Sequence, residues 1–181
     1  MNTPNKLTLI RIAMIPIFLI VLYLGFPLHK YLALLIFVGA SITDALDGFL
    51  ARSRSEVTDF GKFMDPLADK LLVMAALLYF VEQGQLAAWV LLVVVAREFG
   101  VTALRLVAMD GGRVIAAGIA GKIKTVTTML CICIMLTPLT FVHTGFFFRV
   151  NELCTAAILI TTLWSGTEYF LQNKDILNWK Y

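Results

Sequence analysis

In a chain of 181 residues, 60% hydrophobic and only 15% charged residues exclude an ordinary soluble domain, whose shares are typically about 45–50% and about 25%. The apolar residues run in long blocks rather than in a periodic stripe, so the bilayer is the expected solvent. The net charge is +3, no stretch resembles a nucleic-acid motif, and there is neither an internal repeat nor a low-complexity tract.

A helix needs about 20 apolar residues to cross the hydrocarbon. Six stretches are candidates, about 7–26, 31–52, 66–84, 86–108, 114–140 and 153–172. They predict an all-α integral membrane protein, one domain over residues 1–181, with six transmembrane helices. The first stretch lacks a small-residue cleavage site and its apolar run is too long for a signal peptide, so it reads as a retained span, kinked at Pro16.

The second span is apolar only from Tyr31 to Ile42. To finish crossing it must carry Asp44 and Asp47 into the bilayer edge or a cavity, and carboxylates in such places are functional by default. Half of the twelve acidic residues fall between positions 44 and 69: Asp44, Asp47, Glu56, Asp59, Asp65 and Asp69. Asp44 and Asp47 share a helix face at a spacing of three, as Asp65 and Asp69 do at four. Asp65 before Pro66 has the form of an N-cap followed by the first helical position, so the third helix is expected to open there.

The short loop between the second and third spans makes them antiparallel neighbours that can bring both carboxylate pairs together. Each unpaired Asp at a helix centre costs about 2.5–3.5 kcal/mol, and like charges add to that. Cations must hold such a quartet, and an all-oxygen donor set without His or Cys suits two Mg²⁺ or Mn²⁺ ions. The alternative is a set of structural ion pairs to Arg52, Arg54, Lys62 and Lys70. Gly48, Ala51 and Gly61 leave room for a bulky ligand, and Arg52 offers a planar fork to a phosphate; Gly48 also fits a helix-packing role.

The later spans carry the remaining cations. Arg105, Arg113, Lys122 and Lys124 stand near one end of the fourth and fifth spans and are candidate phosphate ligands, or else interfacial anchors. Arg97 and Glu98 lie deeper, where ion pairing to each other or to neighbouring helices is expected, with Arg97 also within reach of the site. Cys131, Cys133 and Cys154 sit in apolar spans without a CxxC pair and read as packing residues. His29 and His143 fall in outer loops. With the N-terminus inside, thirteen of the 15 Lys and Arg residues lie on the cytoplasmic half, leaving only Lys30 and Arg149 opposite. The positive-inside rule therefore puts both termini in the cytoplasm.

Taken together, Asp44, Asp47, Gly48, Ala51, Arg52, Gly61, Asp65 and Asp69 spell D-x2-D-G-x2-A-R-x8-G-x3-D-x3-D, a pattern that resembles the signature of the CDP-alcohol phosphotransferase family at every position. Eight fixed positions arise by chance at on the order of 10⁻¹⁰ per starting point. The resemblance implies six membrane helices, a homodimer, and a site facing the cytoplasm in a bacterial-type cell membrane. It also implies that Asp44, Asp47, Asp65 and Asp69 bind two divalent cations and that Asp69 is the catalytic base. Gly48, Arg52, Thr58 and Gly61 would line the site of the CDP-lipid, joined by Asn5 and Thr8 from an N-terminal segment similar to one that contacts the nucleotide.

Asp65 to Lys70, Arg97-Glu98-Phe99 and Gly121-Lys122-Ile123-Lys124-Thr125 resemble the branch whose product is phosphatidylglycerophosphate; many members carry Gln where this chain has Thr128. That implies transfer of a phosphatidyl group from CDP-diacylglycerol to sn-glycerol 3-phosphate, with the acceptor phosphate on Arg105, Arg113, Lys122 and Lys124. The alternatives are the same chemistry with serine, inositol phosphate or phosphatidylglycerol as acceptor, or a divalent-cation transporter.

Overall fold

The computed structural model describes residues 3–26, 28–54, 59–110, 112, 113, 115, 116, 118–137 and 145–176. Side chains are described at 10, 12–26, 28–43, 70–109, 112, 113, 115, 116, 118–137 and 149–175. Among these residues the chain is all-helical: α1 (Thr3–Tyr23), α2 (His29–Arg54), α3 (Asp59–Glu82), α4 (Ala88–Asp110), α5 (Ile119–Leu136) and α6 (Gly145–Gln172), followed by a short 3₁₀ turn, Lys174–Ile176.

The helices run 18 to 28 residues, about 27 to 42 Å at 1.5 Å per residue, against a hydrocarbon thickness of about 30 Å. Among the described residues one helix, Ile119–Leu136, is both long and apolar enough to cross a membrane by itself; α1 and α2 carry shorter apolar runs, Ile12–Tyr23 and His29–Thr43. The outer surface is rich in large apolar side chains such as Leu35, Leu92, Leu153 and Ile160. That skin would be a liability in water and is ordinary against lipid.

One core joins all six helices. Phe18 of α1, Phe37 of α2, Leu77 and Phe80 of α3, Val90 and Val94 of α4, Ile132 and Met135 of α5 and Ile158 of α6 are all but fully buried. Ala33, Ala40, Ala75 and Ala76 lie in the same core, and such small residues let helix backbones approach closely. Tyr23, the last residue of α1, hydrogen-bonds Glu82, the last of α3. Lys70, early in α3, reaches Thr102, late in α4. Consecutive helices therefore alternate in direction, which brings the end of α2, the start of α3, the end of α4 and the start of α5 to one end of the bundle.

Helix ends explain where the structure departs from the sequence reading. α3 begins at Asp59, not at Asp65, so Asp65 and Pro66 fall in its second turn. Asp59 supplies an earlier acidic start, and once nucleated a helix gains one hydrogen bond per residue, which outweighs the single N–H missing at Pro66. α5 is shorter than 114–140 because Gly118 and Thr137 are both extended; Thr137 precedes Pro138, which disfavours helical backbone. α6 starts at Gly145 rather than at 153, because polar residues such as Asn151 and Glu152 interrupt an apolar run without breaking a helix.

His29 is the first residue of α2 rather than a loop residue; His143 lies outside the described residues. α1 continues through Pro16. α4 closes where Gly112 takes φ of 72°, with its N–H on Met109 and that of Arg113 on the Ala108 carbonyl at 2.8 Å. A left-handed residue there calls for glycine.

Candidate active site

Asp44, Asp47, Gly48 and Arg52 lie in the last turns of α2, and Gly61, Asp65 and Asp69 in the first half of α3. These are adjacent helices, joined through residues 55–58. Asn5 and Thr8 lie in the first turns of α1. The side chains of all nine, and Thr58 altogether, lie outside the described residues, as do Arg54 and Lys62. Among the described residues no group of three or more His, Cys, Asp or Glu is placed to hold a metal ion.

The residue after Asp69 opens the part of the site that is described. Lys70 lines a cleft of about 510 Å³ between α3, α4 and α5. Arg97, Glu98, Val101, Thr102 and Arg105 form its α4 wall, and Gly121, Lys122, Thr125 and Val126 its α5 wall. Glu98, Val101, Thr102 and Arg105 recur at the spacing of one helix face, as do Gly121 and Thr125. The cleft is strongly basic: Lys70, Arg97, Arg105 and Lys122 line it, and Glu98 is the one acid among its described lining residues.

Glu98 gathers two of those charges, Lys70 and Arg97, together with Lys124. Its Oε1 accepts from Arg97 Nη1 at 2.9 Å and from Lys124 Nζ at 2.7 Å, while its Oε2 stands 3.7 Å from Lys70 Nζ. Lys70 also donates to the Thr102 hydroxyl, which itself donates to the Glu98 carbonyl at 2.8 Å. Removing one partner from a buried ion pair of this kind costs about 3–5 kcal/mol, because the other charge is left uncompensated.

Of the four cations read as phosphate ligands, the structure brings Arg105 and Lys122 into the cleft lining. Lys124 sits behind that wall, 4% exposed and paired to Glu98. Arg113 is exposed beyond the end of α4, outside the lining. Thr128 is buried, its hydroxyl donating to the Lys124 carbonyl at 2.8 Å.

Sequence reasoning did not place Lys70 and Thr102 at this cleft, nor pick out Tyr169 of α6, whose hydroxyl accepts from Arg105 Nε at 3.1 Å. The four-residue step from Glu98 to Thr102, aligned with Arg105, was the available signal for Thr102. Tyr169, 64 residues from Arg105, gave none. The three cysteines are free, with Cys131 and Cys154 buried in the packing between α5 and α6.

Among the described residues the chain is a helical bundle with a basic cleft between α3, α4 and α5, and the sequence puts acids on α2 and α3. The model of the CDP-alcohol phosphatidyltransferases matches residues 1–164, and the chain belongs to that family. Among its relatives, the CDP-diacylglycerol–glycerol-3-phosphate 3-phosphatidyltransferase of Bacillus subtilis is 42% identical, over 97% of each chain. The enzyme of the same name from Pectobacterium atrosepticum is 38% identical, over 93% of this chain and 92% of its own. A protein of Mycobacterium tuberculosis described as a probable phosphatidylglycerophosphate synthase is 39% identical, over 93% of this chain and 79% of its own.

Proposed function

We propose that this chain transfers the phosphatidyl group of CDP-diacylglycerol to sn-glycerol 3-phosphate, giving phosphatidylglycerophosphate and CMP. The observation that carries the choice of acceptor is the basic cleft: an alcohol bearing a phosphate needs fixed cations beside the reacting centre, and Lys70, Arg97, Arg105 and Lys122 line a cleft that begins one residue after Asp69. Serine would have no use for that charge. A divalent cation in transit would be repelled by it.

The bundle spans the membrane six times, with both termini and the acidic end in the cytoplasm, a topology supported by the distribution of Lys and Arg. It acts as a homodimer in a bacterial-type cell membrane, as its family resemblance implies. CDP enters from the cytoplasm, and the lipid tails lie in a groove between helices.

Asp44, Asp47, Asp65 and Asp69 form a hard, all-oxygen donor set on two neighbouring helices, which fits two Mg²⁺ or Mn²⁺ ions. Bound there, such ions would neutralise charge on the diphosphate. Gly48 and Gly61 leave space for the CDP-lipid, and Arg52, Thr58, Asn5 and Thr8 supply donors to it. Arg105 and Lys122 hold the acceptor phosphate, so that its C1 hydroxyl faces the lipid-bearing phosphorus. Lys124 acts from behind the wall, and Arg113 attracts the anion from outside. Asp69 takes the hydroxyl proton as the oxygen attacks phosphorus; the bond from phosphorus to the bridging oxygen breaks, and CMP leaves with that electron pair.

The test is CMP release by purified protein in lipid vesicles containing CDP-diacylglycerol. Release should require glycerol 3-phosphate and fall about 10²–10⁴-fold in Asp69→Asn, the usual worth of a general base. Release driven equally by serine or inositol phosphate would refute the acceptor assignment. Undiminished release in Asp69→Asn would remove the base.

A further inference from the structure

We infer that Glu98 is a positioning residue for the acceptor: it holds Arg97 and Lys124 in place for a dianionic phosphate while leaving the cleft in cationic surplus. The inference rests on the reading of this cleft as the acceptor's site. One carboxylate meets three cations from three helices, Lys70 of α3, Arg97 of α4 and Lys124 of α5. Side-chain exposure is 5% for Lys124, 12% for Arg97 and 16% for Glu98, so water screens these charges little. Without the carboxylate the cations would repel one another, and Lys124 would be driven from its burial. With a second carboxylate the cleft would lose its pull on an anion. A single acid orders the cations it meets and leaves the lining, with Lys70, Arg97, Arg105 and Lys122 against Glu98, in cationic surplus for a phosphate dianion.

Arg97 is held by shape as well as charge. A Cβ added to Gly166 of α6 would stand 3.2 Å from Arg97 Cγ, and one added to Gly121 of α5 would stand 3.6 Å from Nη2. Arg97 Nε is buried without a hydrogen-bond partner among the described residues. The Arg97 side chain is thus threaded between two glycines, its stem against Gly166 and its guanidinium against Gly121, with one edge on Glu98 and donor capacity left over, and it lines the cleft.

The experiment compares Glu98→Gln, Glu98→Asp and Arg105→Ala with the unaltered protein in lipid vesicles. Readouts are kcat, KM for glycerol 3-phosphate, KM for CDP-diacylglycerol and thermal midpoint. Glu98→Gln should raise KM for glycerol 3-phosphate about tenfold, since hydrogen bonds to charged groups are the strong ones. KM for the lipid should stay within about twofold, and Glu98→Asp should recover most of the loss. A KM for glycerol 3-phosphate that does not move, or moves in step with that for the lipid, overturns the role. If Glu98→Gln does not fold, the double change Glu98→Gln with Lys124→Gln removes the pair together and should give the same KM split. Failure of both to fold makes Glu98 a determinant of the fold and overturns the proposal. Arg105→Ala separates the two readings: if it leaves KM for glycerol 3-phosphate unchanged, the acceptor site lies elsewhere; if it raises that KM while Glu98→Gln does not, only the positioning role falls.

Discussion

Arg105 Nε donates to the Tyr169 hydroxyl at 3.1 Å, and the same guanidinium lies 5.5 Å from the centroid of the Tyr169 ring. Tyr169 is itself buried against Val101 and Leu104, so a residue that does not line the cleft fixes one that does. Tyr169→Phe keeps the ring and removes the acceptor, leaving Arg105 a freer rotor. KM for glycerol 3-phosphate should rise about three- to tenfold, roughly the worth of one hydrogen bond, with kcat and KM for CDP-diacylglycerol unchanged. Steady-state kinetics with each substrate varied in turn checks this.

Gly166→Ala should act on the same kinetic constant by a different route. The new methyl meets Arg97 Cγ at 3.2 Å, so the arginine stem must yield by a few tenths of an ångström. Small displacements of a positioning group are costly, and the expected result is a rise in KM for glycerol 3-phosphate of about fivefold or more. Gly39 is the control: a Cβ there meets nothing within 4 Å, in the interior of α2. Gly39→Ala should stabilise by about 0.5–1 kcal/mol without altering kinetics, visible as a higher thermal midpoint.

Metal removal has a readout other than turnover. If Asp44, Asp47, Asp65 and Asp69 bind divalent cations, Mg²⁺ at about 100 times its Kd should stabilise the protein by about 2.7 kcal/mol, and chelation with EDTA should reverse the gain. The increment in thermal midpoint should vanish in Asp44→Asn with Asp47→Asn. A Mg²⁺-dependent midpoint that persists in this variant would move the cation site off α2.

The buried thiols give a check on the packing of α5 against α6. Cys131 and Cys154 are 6% exposed and should resist a maleimide fluorophore until the bundle unfolds, reporting its midpoint. Prompt labelling of both in the native protein would contradict the packing described.

The six helices were legible because each is a block of apolar residues, and a block that long has few other uses. Carboxylates such as Asp44 and Asp47 stand out in the sequence at the end of such a block, but their side chains lie outside the described residues. Helix starts were less legible. Asp65-Pro66 has the local chemistry of a beginning, yet α3 opens at Asp59, since a cap signal is outweighed when the preceding turn also gains hydrogen bonds. The partition of the cations was hidden for another reason. Lys122 and Lys124 are two residues apart and look alike in sequence, but on a helix they point to different sides: one lines the cleft and the other is committed to Glu98, 26 positions earlier. No local pattern encodes a pairing at that range.

The backing of the cleft by α6 separates two kinds of evolutionary freedom. Gly166 leaves room for the Arg97 stem and Tyr169 accepts a hydrogen bond from Arg105, whereas the aspartates belong to α2 and α3. If the cleft takes the acceptor as proposed, preference for one alcohol over another can therefore drift through exchanges in the last helix, outside the cleft lining, while the acids of α2 and α3 stay unchanged.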